Sequence, residues 1–253
     1  MARSLRALFL VAVLSLVTIF LAPQAKAASL DDLVRAYPDQ LQGHDDKDLI
    51  WRDGTRTPVS DGNETKSFED TLRNASILDQ LRLPYPKGPL DRPPGAQDDP
   101  GRFRNTLFFD KIYGNCEKGE STKHLTRIAW LPHVGGGFVE VTTINGIAEK
   151  LQAISAELEK LSPELRKFAY PSAGAYACRA VKDTGKRSMH AYGAAIDLNT
   201  KFADYWLWSK GQYRNRMPME IVAIFERHGF IWGGKWGHFD TMHFEYRPEL
   251  LGD

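Results

Sequence analysis

The chain has 253 residues, 42% of them hydrophobic and 26% charged, with 33 Lys and Arg against 32 Asp and Glu. That is room for one large domain, or for a domain with an elaborate extension, and the composition is that of a globular chain. The near-balance of charge, with no basic stripe and no polybasic run, argues against nucleic acid or an anionic lipid surface as a partner.

The first residues read as a targeting segment. Arg3 and Arg6 precede an apolar run from Ala7 to Leu21, and Ala25-Lys26-Ala27 is a small-x-small cleavage pattern. A secretory signal peptide over 1–27, cut before Ala28, is expected. The alternative is a permanent anchor, but the run is shorter than the ~20 residues that a spanning helix needs. Removing the leader, with Arg3, Arg6 and Lys26 and no acid, takes the formal charge from +1 to −2. No later apolar run is long enough to span a bilayer, so a soluble mature protein is expected in the bacterial periplasm, with oligomeric state open. Cys116 and Cys178 form a candidate disulfide in an exported protein, against the alternative of two buried free thiols.

In chain order, residues 28–120 read as a loop-rich N-terminal extension without catalytic spacing. "SLDDLVRAY" is a short helix capped by Ser29, and "SFEDTLRN" has Ser67 and Asp70 at capping-box spacing. "WRDGTRTPVSDGNET" is turn chemistry, and "YPKGPLDRPPGAQDDPGR" should be irregular. "RFRNTLFFDKIYG" looks helical and ends at Gly114. Residues 121–253 are more regular. "HLTRIAWL" and "GFVEVTTI" read as strands joined by a glycine-rich turn. "NGIAEKLQAISAELEKL" is an amphipathic helix, with Ile147, Leu151, Ile154, Leu158 and Leu161 on one face. "FAYPSAGAYACRA" reads as loop then strand, and "MPMEIVAIFERHG" as a helix between Pro218 and Gly229. Aromatic-rich short strands close the chain. Strands and helices mix without a βαβ rhythm, so the class is α+β.

Two segments carry chemistry. In "SMHAYGAAIDLN", His190 and Asp197 lie seven residues apart. Residues at that spacing point to opposite faces of a strand, and lie about 10 Å apart along a helix. Only a bend brings both to one ion, and Gly193 permits one. "AAIDLN" then reads as a short buried strand delivering Asp197. "HFDTMHFEY" supplies His243, with Asp240 three residues earlier. Three protein ligands leave a zinc ion one open position for water, and Asp240 is placed to act beside the metal as a base. The bland alternatives are a packed histidine, a strand-end turn at Asp197, and an Asx turn at Asp240-Thr241. His238, two residues from Asp240, could line the site. Trp206, Trp208, Trp232 and Trp236 could shape a pocket or fill the core.

The two segments together resemble the zinc D-alanyl-D-alanine carboxypeptidases. "SMHAYGAAIDLN" fits their Ser-x-His-x-x-Gly-x-Ala-x-Asp pattern. Asp240-Thr-Met-His243-Phe-Glu245 is similar to their second motif, and Gly174, Tyr176 and Arg179 in "AGAYACR" to their Gly-Tyr-Arg strand, two residues off its usual spacing. The group includes D-Ala-D-Ala dipeptidases and the L-alanyl-D-glutamate endopeptidases of phage lysins. The resemblance covers about 137–253. It implies a hedgehog/DD-peptidase-like fold, with a small mainly antiparallel sheet and flanking helices. It implies zinc on His190, Asp197 and His243, with Asp240 as general base. Arg179 is the implied oxyanion group, with Arg187 the alternative, and Ser188, Glu245, Tyr176 and Trp236 are implied as substrate-binding or bracing residues. The expected activity is cleavage of peptidoglycan stem peptides, with D-Ala-D-Ala carboxypeptidase leading and an L-Ala-D-Glu or D,D-endopeptidase as the alternative. From other classes, a non-catalytic wall-binding module and a structural metal protein remain open.

Overall fold

The computed structural model describes residues 25–252, so the expected leader lies almost wholly outside the described residues. Three small antiparallel sheets and seven short α-helices carry the described chain. No described helix is long and apolar enough to cross a membrane. Helix and antiparallel sheet are mixed as the α+β reading expects.

Helix α1, Leu30–Ala36, starts at Ser29 in a capping box closed by Asp32. Strands β1 (Leu41–His44), β2 (Asp48–Trp51) and β3 (Arg56–Pro58) form a meander whose second turn holds Asp53 and Gly54. Helix α2, Phe68–Arg73, is capped by Ser67, and α3, Ile77–Leu81, by Ser76. Helix α4 is Thr106–Tyr113, shorter than the sequence promises. The Asn105 side chain accepts from the Phe108 amide at 2.9 Å, so the helix begins there. That leaves Phe103 to pack beside Leu72 and Ala75, and frees Arg104 to turn elsewhere.

Strands β4 (Leu125–Ala129) and β5 (Phe138–Thr142) pair antiparallel across the glycine-rich turn, as expected. Helix α5, Ile147–Leu158, buries Ile147, Leu151, Ile154 and Leu158 completely, while Leu161 packs against the core from just beyond its end. Each such side chain removed from water contributes about 1.5–3 kcal/mol. After the single turn α6 (Pro163–Arg166), the segment expected to become a strand does not. Gly174 and Ala180 make only isolated bridges, to Asp197 and Arg187. The amides of Tyr176 and Ala177 donate instead to Glu140 and to His190, so no ladder can run.

The third sheet holds β6 (Ala195–Asp197), β7 (Phe230–Trp232) and β8 (His243–Tyr246), with β8 central. Helix α7, Met219–Arg227, stands between Pro218 and Gly229 and covers it, Phe225 stacking on Phe244 at 3.9 Å. One apolar core runs from Leu33 and Trp51 in the N-terminal stretch through Trp130 and Leu151 to Phe244. Polar contacts fasten the irregular 83–101 stretch onto the C-terminal third. Tyr85 donates to Glu226 at 2.7 Å, Trp236 Nε1 to the Pro100 carbonyl at 2.7 Å, and Arg247 to that of Gly101 at 2.7 Å. Cys116 and Cys178 are disulfide-bonded, with Cα atoms 5.7 Å apart.

Candidate metal centre

The bend required between His190 and Asp197 is present. A single 3-10 turn, Met189–Tyr192, carries His190 and ends at Gly193, whose φ is +68°. A Cβ on Gly193 would stand 2.8 Å from the Thr142 amide nitrogen, so only glycine lets the turn lie against β5. The chain then enters β6, where Asp197 is the direct cross-strand partner of His243 on β8. Directly opposed residues share a face and sit close enough to act together. Glu245, two residues along, falls on the same face.

The three side chains meet at one point. His190 Nε2 lies 3.1 Å from His243 Nδ1 and 3.1 Å from Asp197 Oδ1, and His243 Nδ1 lies 3.0 Å from Asp197 Oδ1. The far sides of the rings fix what faces that point. His190 Nδ1 meets the Ala175 carbonyl, which only accepts, so this nitrogen donates. His243 Nε2 meets the Glu245 carboxylate at 2.9 Å, and it too donates. With neutral rings, two lone pairs and a carboxylate oxygen then converge with no hydrogen among them. Such a set suits a positive charge at its centre, a metal ion or a shared proton. Ligands of a tetrahedral zinc at 2.0–2.1 Å stand about 3.3 Å apart, close to the separations seen. The three residues are buried and could hold a metal ion.

Charge around the point is polarised. Burial alone would raise the Asp197 pKa, but His190 and His243 outweigh it and hold the carboxyl well below its usual range. Burial likewise opposes a charge on His243, yet Asp197 and Glu245 raise it to about 9, the same demand for positive charge. Asp240 behaves oppositely. Loss of water, then the Asp197 charge, raises it to about 6. Its Oδ1 is buried without a hydrogen-bond partner. Asp240 lines a cleft with His190, His243, Ser188, Arg179 and Trp236.

Of the two arginines left open, Arg179 is the one at the cleft. It is half exposed and stands 3.8 Å from Asp197 Oδ2. Arg187 lies outside that lining, tied to Asp110 at 2.5 Å and Glu117 at 3.1 Å, while Tyr192 donates to the same Asp110. Ser188 both lines the cleft and caps the His190 turn, accepting from the His190 amide at 3.3 Å. The Trp236 ring lies 5.4 Å from that of His243. Glu245 is fully buried rather than on the surface. Tyr176 lies outside the cleft lining, its amide bound to the Glu140 carbonyl. His238 lines the cleft as its position suggested, paired with Asp99 at 2.6 Å.

Sequence reasoning missed Arg102 and Arg104, which also line the cleft. The signal was absent by nature: nearly 90 residues separate them from the first motif, and neither stands at a recognisable spacing. Their placement follows from the lacing of 98–101 onto 236–247. Arg102 pairs with Asp183 at 2.6 Å across the cleft rim.

Residues 182–246 match the family model described as D-alanyl-D-alanine carboxypeptidase. The match spans both motifs and supports a metallopeptidase, in keeping with the buried His190, Asp197 and His243 group, which could hold a metal ion. Neither a curated protein nor a solved structure matches the chain. Gly174, Tyr176 and Arg179 lie just ahead of the matched stretch.

Proposed function

We propose that the protein is an exported zinc metallopeptidase that hydrolyses peptidoglycan stem peptides, with a D-Ala-D-Ala terminus as its leading substrate. The observation that carries the reading is the meeting of three acceptor atoms beside Asp240, a carboxylate with an unpartnered oxygen in the same cleft. His190, Asp197 and His243 would hold the zinc, which supplies a Lewis acid that polarises a peptide carbonyl and acidifies water.

The chain's own residues do the rest. Asp240, with a pKa raised to about 6, is ionised at neutral pH yet basic enough to take a proton from the attacking water. It then returns that proton to the leaving amine. The half-exposed Arg179 guanidinium offers donors to the developing oxyanion or to a substrate carboxylate. Ser188 holds the His190 turn in place. The expected leader would deliver the enzyme to the periplasm, where stem peptides are found. A binding module without catalysis would have no use for a carboxylate with an unpartnered oxygen at this place in the cleft.

The test is digestion of defined stem peptides, read by mass spectrometry, with Asp240→Ala and chelated controls. Loss of a single terminal alanine, abolished in both controls, is expected. Larger fragments would keep the chemistry and move the bond to an endopeptidase position. No cleavage by a folded, zinc-loaded protein would refute the peptidase reading.

A further inference from the structure

His243 is held from behind as well as in front. Its Nε2 donates to Glu245 Oε2 at 2.9 Å, and the same oxygen takes a hydrogen bond from Arg104 Nη2. Glu245 is 0% exposed, and such a carboxylate stays ionised only if cations compensate its lost water. Arg247 stands at its other oxygen, but at 3.4 Å, and is committed to Glu249 at 2.6 Å and to the Gly101 carbonyl. The near cation is therefore Arg104. The Arg104 guanidinium also lies over the Trp236 ring, 5.9 Å from its centre, and that ring flanks His243.

We propose that Arg104, contributed by the stretch ahead of the family match, is a positioning residue of the metal centre that acts through Glu245 on His243. The inference rests on the metal-centre reading above. Glu245, held by Arg104, accepts from Nε2–H, which leaves the Nδ1 lone pair facing His190 and Asp197. A carboxylate partner also raises the ring's basicity toward a metal. If Glu245 turned away, His243 could carry its hydrogen on Nδ1 and offer no lone pair. The N-terminal extension would thus complete the centre rather than merely cover it.

The experiment is zinc affinity by competition with a chromophoric chelator, on the full mature chain and on Arg104→Met, Arg104→Lys and Glu245→Gln. Metal-free thermal unfolding is recorded beside each. Arg104→Met and Glu245→Gln are each expected to weaken zinc on the order of 10- to 100-fold. Arg104→Lys, keeping the charge and losing the planar fork, should fall between. The double variant Arg104→Met/Glu245→Gln should bind no more weakly than Glu245→Gln alone, because both act along one chain. A purely structural Arg104 would lower the metal-free melting temperature and leave the zinc affinity at the wild-type value; that result would overturn the inference alone. If Arg104→Met does not fold, wild-type affinity in Arg104→Lys and Glu245→Gln overturns it equally. No zinc binding by the wild type would overturn the metal-centre reading and this inference together.

Discussion

Replacing Gly193 by Ala probes the bend on which the whole centre depends. The new Cβ would stand 2.8 Å from the Thr142 amide nitrogen, 2.8 Å from Leu125 Cδ2 and 3.2 Å from the Val141 carbonyl carbon. Leu125 can shift, but the other two atoms are backbone of β5. They are also fixed by the hydrogen bond from the Thr142 amide to the Gly193 carbonyl, at 3.1 Å. A left-handed conformation costs a residue with a Cβ about 1–2 kcal/mol. Overpacking against rigid neighbours adds about 1–3 kcal/mol. The total, roughly 2–5 kcal/mol, corresponds to a fall in melting temperature of roughly 4–20 °C for a chain of this size. Relief of the clash must move the turn that carries His190 away from β5, so zinc affinity should fall together with stability. The assay is thermal unfolding with and without zinc, plus chelator competition. A variant within about 0.5 kcal/mol of wild type, with unchanged zinc affinity, would refute the claim that this glycine sets the ligand geometry.

Other expectations follow from the same geometry. Asp240 works as a base only when ionised, so kcat/KM should hold above about pH 6 and fall about tenfold per unit below it, as the carboxyl raised to about 6 takes up its proton. Asp240→Asn should lose that acid limb along with roughly 10²–10⁴ of the rate. Arg187→Met should destabilise the fold by about 1–3 kcal/mol, because it removes the cation paired with Asp110 and leaves that carboxylate only the Tyr192 hydroxyl and the Asn115 amide. Arg179→Ala should leave unfolding unchanged and lower kcat, since the side chain is half exposed at the cleft; equal stability losses in the two variants would contradict the division of roles. Reducing the disulfide, which spans 62 residues, should cost roughly 2–5 kcal/mol by chemical denaturation.

What the sequence made legible is what local chemistry decides. Ser29, Ser67 and Gly229 mark helix ends because capping and a left-handed turn are short-range properties, and the structure keeps all three. The meeting of His190, Asp197 and His243 was readable because seven residues with one glycine between them admit few geometries. Cross-strand pairing of Asp197 with His243 then completes it. The segment around Tyr176 misled, because its alternation looks like a strand while its backbone partners come from the His190 turn and from β5. Arg104 and Arg102 were invisible because their partners Glu245 and Asp183 lie some 140 and 80 residues away in sequence. No spacing rule reaches that far. The same holds for the choice between Arg179 and Arg187, which rests on Asp110 in α4.

The central claim is that three acceptor atoms on β6, β8 and the His190 turn hold one catalytic metal. It is tested most directly by a crystal structure of the zinc-loaded protein with anomalous diffraction recorded on both sides of the zinc edge. One strong peak per chain is expected, bounded by His190 Nε2, Asp197 Oδ1 and His243 Nδ1, with Asp240 facing it. A peak elsewhere, or three side chains joined by a shared proton with no metal between them at saturating zinc, would contradict it.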